Sequence, residues 1–141
     1  MAKYLKLVKA EFDGRFAKRF AALMPNAKDL HQSLMAFGCE IGPGWRELVW
    51  NLAEKIENEV KKGKLDFEIV QVKEKFGGLR FYVNCGTRRT RKLIDKAEAE
   101  SFKICEVCGE DGKLGENAFH WYKTLCNKHW EEEVLGKLKT V

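Results

Sequence analysis

A chain of 141 residues, 45% apolar with nine Phe and four Trp, is long enough to bury one core. It is 33% charged, holds no run of about 18 apolar residues, and opens on Met1-Ala2-Lys3-Tyr4-Leu5-Lys6 without an apolar signal segment, so neither a spanning helix nor a secretory leader is expected. The net charge of +5 permits an anionic partner without requiring one.

Residues 2–24 read as helix. Tyr4, Val8, Phe12, Phe16 and Phe20 recur every fourth residue as one apolar stripe, with Lys3, Lys6, Lys9, Lys18 and Arg19 off it. Asp13-Gly14 is a point where this helix can split in two, and Pro25-Asn26 ends it. A short helix over 28–37 and a loop at Gly38, Gly42, Pro43 and Gly44 follow. Trp45, Leu48, Val49, Leu52, Ile56 and Val60 then predict a helix over 45–61, with Lys61-Lys62 at its negative end and Gly63 as its stop.

Residues 67–73 and 79–84 alternate as strands around Gly77-Gly78, read as a two-residue hairpin turn. That turn pairs Phe76 with Leu79, Glu74 with Phe81 and Val72 with Val83 on an apolar face. On the other face it pairs Lys75 with Arg80 and Lys73 with Tyr82. Glu74 then needs a donor, expected from a Lys or Arg of a packed helix. Residues 88–104 predict a helix with Ile94, Ala97, Ser101 and Ile104 inward and Thr87 or Thr90 as its cap. Residues 111–118 read as loop and Phe119–Leu125 as a short strand. The last helix runs from near Cys126 to about Leu138, with Trp130, Val134 and Leu138 inward.

The strongest chemical signal is Cys105-Glu106-Val107-Cys108 followed, seventeen residues later, by Cys126-Asn127-Lys128-His129. Each pair sets two ligands on one turn. Cys105, Cys108, Cys126 and His129 together supply three thiolates and an imidazole, a closed tetrahedral set for one structural Zn²⁺. A closed set leaves no position open for substrate. His120 is a fifth candidate, better read as a neighbour or a solvent-facing residue. Cys39 and Cys85 lie outside the motif and read as a small buried hydrophobe or an inert thiol. Reduced ligands point to a reducing cytosol.

Two basic features accompany it. Lys73, Lys75 and Arg80 share a hairpin face with Tyr82, where like charges opposite one another repel and Tyr82 offers a stacking surface. Arg88, Arg89, Arg91 and Lys92 crowd a helix start that is already positive, where free N–H groups also attract an anion. The plainer reading of each is a solvated face, the first with a Glu nearby, the second balanced by Asp95 and Glu98. Catalytic arrangements are poor. There are three histidines, one of them in the metal set, and no nucleophile elbow, phosphate loop or dinucleotide fingerprint occurs. A nuclease of the His-metal-finger type would want an Asp or Asn beside His120, and Phe119-His-Trp-Tyr122 has none.

The knuckle, short hairpin and ligand-bearing helix start resemble a treble-clef zinc finger. Four blocks extend the likeness: Leu34-Met-Ala-Phe-Gly-Cys-Glu-Ile-Gly-Pro-Gly-Trp45, Gln71-Val-Lys-Glu-Lys-Phe-Gly-Gly-Leu-Arg-Phe-Tyr82, Glu100-Ser-Phe-Lys-Ile-Cys-Glu-Val-Cys-Gly109 and Thr124-Leu-Cys-Asn-Lys-His129. In this order they resemble a family of small uncharacterised phage and prophage proteins, over roughly residues 30–130. The resemblance implies an accessory protein of a bacterial host cytoplasm and carries no activity.

The expectation is one α+β domain over 1–141: a small antiparallel hairpin or sheet packed by helices, with 100–138 an integrated zinc module. Two functions stay open. One is a non-enzymatic zinc protein binding DNA or RNA through the two basic features. The other is a protein-binding modulator of a host enzyme or defence complex, favoured if two or more of Trp45, Trp121, Tyr122 and Trp130 lie exposed on one patch.

Overall fold

A computed structural model describes residues 4–140 of the chain, and the side chains of residues 4–133. Lys3, Val134 and Leu138, assigned above to a solvated face and to the inner face of the last helix, lie outside the described side chains. The architecture is α+β. In chain order it runs α1 (Lys9–Arg19), β1 (Cys39–Glu40), α2 (Arg46–Gly63), β2 (Glu68–Lys75), β3 (Gly78–Asn84), α3 (Arg88–Ser101), β4 (Lys113–Glu116), β5 (Tyr122–Leu125) and α4 (Asn127–Thr140). β1, β2 and β3 form one sheet in that order, and β4 pairs with β5 in a second. Among the described residues no helix is long and apolar enough to cross a membrane.

The aromatic stripe of the first segment works as expected at Tyr4, Phe12, Phe16 and Phe20, all buried. Their rings meet Trp50 of α2 at centroid separations of 5.0–6.1 Å. The helix is shorter than 2–24, and Val8 precedes it at 61% exposure. Asp13-Gly14 does not divide it. The Asp13 carboxylate looks outward, pairing with Lys9 and accepting the Cys39 N–H at 3.0 Å, so it does not compete with the helix backbone. Residues 28–37 form turns instead of a helix, apart from a single 3₁₀ turn at Met35–Phe37. Asp29 captures the His31 N–H, Ser33 Oγ captures the Met35 N–H, and Leu34 N–H donates to Val70 O of β2 at 2.8 Å. The segment is thereby drawn onto the sheet, and β1 adds in parallel beside β2, pairing Cys39 with Val72 and Glu40 with Lys73.

α2 buries Val49, Leu52, Ala53 and Ile56, with Trp45 fully buried just ahead of it. Its left-handed stop falls on Lys64 (φ 51°, ψ 46°), one residue beyond Gly63. Arg46 is buried as well, donating to Tyr4 O and Leu7 O at 2.9 and 2.7 Å, which ties the start of the chain to α2.

The β2–β3 register differs from the expected one. The pairs are Lys75 with Gly78, Glu74 with Leu79, Lys73 with Arg80, Val72 with Phe81 and Gln71 with Tyr82, and an irregularity at Val70 brings Ile69 opposite Val83. The turn is Phe76-Gly77, both left-handed at φ 55° and 82°, the combination a tight two-residue hairpin requires. Gly78 is a glycine for another reason: a Cβ there would lie 2.3 Å from the Phe102 ring. The displacement by two residues keeps 72–75 and 79–82 on their assigned faces, because the side-chain period is two, but it takes Phe76 off the apolar face and into the turn, where it is 64% exposed. The irregularity lets Ile69 and Val72 both turn inward. Glu74 finds its donor in the turn itself, Gly77 N–H at 2.7 Å, and not on a helix.

α3 starts on a reciprocal cap. Thr87 Oγ1 accepts the Thr90 N–H and Thr90 Oγ1 accepts the Thr87 N–H. Two of its side chains close the free edge of β3: Ser101 Oγ accepts the Leu79 N–H at 2.9 Å and Glu98 Oε2 accepts the Phe81 N–H at 3.0 Å. An edge whose donors are satisfied this way has little left to offer another strand.

Candidate metal centre and basic surface

Beyond α3 the backbone makes a tight turn at Cys105–Cys108. Gly109 is left-handed at φ 82°, and its N–H donates to Cys105 O at 2.9 Å. The β4–β5 hairpin follows, then α4, whose first turn carries His129. Residues 111–118 therefore contribute a strand, β4, where a loop was expected. Its partner β5 is shorter than Phe119–Leu125, because Asn117 Oδ1 gathers the N–H groups of Phe119 and Trp121 into the connecting loop.

This order of elements brings Cys105, Cys108, Cys126 and His129 together, with their ligand atoms all within 4.8 Å of one another. Cys108 Sγ and Cys126 Sγ are 3.8 Å apart, and His129 Nδ1 is 3.1 Å from Cys126 Sγ and 3.4 Å from Cys105 Sγ. A tetrahedral Zn²⁺ at ordinary bond lengths sets sulfurs about 3.8 Å apart, and sulfur and nitrogen about 3.6 Å apart. The four groups are thus compatible with zinc and can hold one metal ion, and none of the five cysteines is in a disulfide. The Cys126 thiol is pulled down to about 7, chiefly by the His129 backbone N–H and then by the His129 side chain. The Cys108 thiol is pushed up to about 11, chiefly by desolvation. A cation at their common centre favours the thiolate of both. Outside the set, Glu132 Oε2 lies 3.8 Å from His129 Nε2, placed to orient the imidazole from behind. His120 is not among the cluster; it is exposed and pairs with Glu116. Cys39 is buried, and burial pushes its thiol up. Cys85 is exposed.

The knuckle is also the place where the molecule is joined. Gly44 N–H donates to Glu106 O at 2.7 Å, Gly42 N–H to Glu106 Oε2 at 2.9 Å, and the Trp45 indole to Ile104 O at 2.8 Å. The Glu106 carboxyl is held above its ordinary range, mainly by burial. From the other side Thr124 Oγ1, fully buried, donates to Gly77 O at 2.6 Å, and Thr124 O accepts the Glu106 N–H at 3.0 Å. The Gly42–Trp45 loop, the Phe76-Gly77 turn, the knuckle and β5 therefore meet at one junction. The four blocks that carry the resemblance each supply one of its parts.

On the sheet face opposite the core, Lys73 and Arg80 are direct cross-strand partners, and Lys75 is one step nearer the turn. Lys73 Nζ lies 5.9 Å from the centroid of the Tyr82 ring, which is 39% exposed. Glu40 of β1 is the cross-strand neighbour of Lys73 on the far side. Among the described residues no ion pair includes Lys73, Lys75 or Arg80. Arg80 donates only to its neighbour's carbonyl, Leu79 O, at 3.3 Å. Arg88, Arg89, Arg91 and Lys92 are exposed at the start of α3, and Arg89 reaches Glu59 at 3.9 Å. The reciprocal threonine cap already takes the N–H groups of both Thr87 and Thr90, so fewer donors face outward there than a bare helix start would offer.

Of the aromatics left open above, Trp45 is fully buried, whereas Trp121 is 68% and Tyr122 47% exposed. They are consecutive where the β4–β5 loop enters β5, and Phe119 of that loop is 65% exposed. No protein-family model, no curated protein and no solved structure matches the chain.

Proposed function

We propose that the chain is a non-enzymatic protein of the phage accessory kind, working in a bacterial cytoplasm, in which one structural zinc ion holds the junction and the outer sheet face binds nucleic acid. The observation that carries this reading is the Lys73–Arg80 pair. Two cations face each other across a hydrogen-bonded ladder, no carboxylate closes on either among the described residues, and an exposed tyrosine lies alongside. Like charges in that position destabilise a sheet, and polyanionic phosphate relieves the repulsion. Lys75 extends the row, and Arg88, Arg89, Arg91 and Lys92 add long-range attraction. Zinc is the ion that three thiolates and one imidazole in a closed set select, and a closed set favours architecture over chemistry.

The test is binding to labelled DNA and RNA across a salt series. Affinity should fall steeply, with a log–log slope of about one per phosphate contacted. The double variant Lys73→Ala/Arg80→Ala should flatten that slope at unchanged zinc content. No binding to either polymer at low salt would refute the reading. A protein-binding modulator is the second reading, and the adjoining exposure of Trp121 and Tyr122 favours it.

A further inference from the structure

Exposed rings of this molecule lie beside cations that make no ion pair among the described residues. Tyr82 and Arg80 stand on the outer face of β3, and Lys73 reaches over the Tyr82 ring. At the tip of the same hairpin Phe76 is 64% exposed, with Lys75 Nζ 5.5 Å from its ring centroid. The next residue, Gly77, abuts the zinc hairpin: a Cβ there would lie 2.6 Å from Leu114 and 3.3 Å from the Tyr122 carbonyl carbon. The Tyr122 backbone therefore adjoins the turn, and its side chain, like that of Trp121 before it, is exposed. Tyr82 is four residue steps along the strand from Gly78, about 13 Å at about 3.3 Å per step. Ring and cation thus lie side by side twice along the β2–β3 hairpin, and the backbone that carries Tyr122 adjoins its tip.

We infer that this surface takes single-stranded nucleic acid, with unpaired bases stacking on Tyr82, Phe76 and the Tyr122–Trp121 pair while Lys73, Lys75 and Arg80 contact the phosphates. The inference rests on the nucleic-acid reading and narrows it. Duplex recognition is served by phosphate contacts and an element that enters a groove. It gives no use to open aromatic faces, whose natural partners are unstacked bases. A protein partner would account for the rings but not for the ammonium groups lying over two of them. On a stacked base those lysines are free to move to the flanking phosphates.

The experiment measures anisotropy of a labelled oligothymidylate, an oligouridylate and a duplex of equal length, with the zinc-loaded full chain. Single strands should bind at least tenfold more tightly than duplex at equal salt. Removing a ring that holds a base should weaken single-strand binding roughly 5- to 150-fold, so Tyr82→Ala and Phe76→Ala should each do so. Tyr82→Phe should retain affinity, since it keeps the stacking face. The salt slope of the alanine variants should match that of the unmodified chain, because the phosphate contacts persist. Zinc content and melting temperature of each variant guard against misfolding. Equal affinity for duplex and single strands, or full single-strand affinity in both alanine variants, overturns the inference and leaves the broader reading standing. Absence of binding to all three probes overturns both, and the rings then belong to a protein-facing surface.

Discussion

Gly44 is the tightest point of the junction, and replacing it by alanine tests whether that junction holds the molecule together. A Cβ there would lie 2.0 Å from Cys105 O, 2.6 Å from Gly109 N and 2.8 Å from the Glu106 carbonyl carbon. All three are backbone atoms of the knuckle, so no rotamer change relieves the overlap. The loop has to withdraw, which breaks the Gly44–Glu106 hydrogen bond and stretches those of Gly42 and the Trp45 indole. Hydrogen bonds contribute about 1 kcal/mol each net, and overpacking costs about 1–3 kcal/mol, so Gly44→Ala should destabilise by about 3–4 kcal/mol. For a chain of this size that lowers the melting temperature by about 10 °C. Gly14→Ala is the matched control. Nothing lies within 4 Å of its Cβ position, and Gly14 is exposed within α1. The same substitution should there gain about 0.5–1 kcal/mol of helix propensity and raise the melting temperature by about 2–3 °C. Thermal unfolding by circular dichroism, with both variants zinc-loaded, compares them, and hydrogen exchange at residues 104–110 locates the damage. A Gly44→Ala protein melting within about 2 °C of the unmodified chain would refute the junction argument.

Elemental analysis should find about one zinc per chain, and chelation should loosen residues 100–130 first and then the Gly42–Trp45 loop that rests on Glu106; a metal-free protein with an unchanged melting curve contradicts a structural role. Thr124→Val should cost about 1–3 kcal/mol, because it leaves the Gly77 carbonyl without its buried donor; chemical denaturation measures this, and an unchanged midpoint speaks against it. Glu57 accepts from Arg19 at 2.7 Å, and that bond holds its carboxyl below the ordinary 4.5. Because the folded value is the lower one, the pairing stabilises the fold above the unfolded pKa and is lost as pH falls through the folded one. The melting temperatures of the unmodified chain and Glu57→Gln should therefore differ most near neutrality and converge toward about pH 3, whereas a constant gap would exclude this linkage.

Local chemistry, read in order, was enough for the metal set, because each ligand pair sits on one turn and spacing along the chain alone fixes its geometry. The helix over 45–61 and the one over 88–104 as far as Ser101, where it ends short of Ile104, were legible for a related reason: their inner faces repeat at the helical period, and Thr87 carries its own capping partner three residues on. The assignment of residues 72–75 and 79–82 to two sheet faces was equally legible, since a strand's period of two survives an error in the turn, and only Phe76 left its face to make that turn. The pairing itself was not. Gly77-Gly78 looks like a turn, but Gly78 is spent on the Phe102 ring and Phe76 takes the left-handed position instead, a choice set by an aromatic twenty-four residues away. In the same way Asp13-Gly14 stays helical because Cys39 claims the aspartate, and residues 28–37 leave the helix because Val70 claims Leu34. The glycines at 42, 44 and 77 read as loop punctuation in the sequence. Only the tertiary structure shows that they give the knuckle and the β4–β5 hairpin room to approach the rest of the chain. Helical and strand periods are local and survive in one dimension. Close approach between distant backbones leaves no periodic trace, so it is decided only when the folded elements meet.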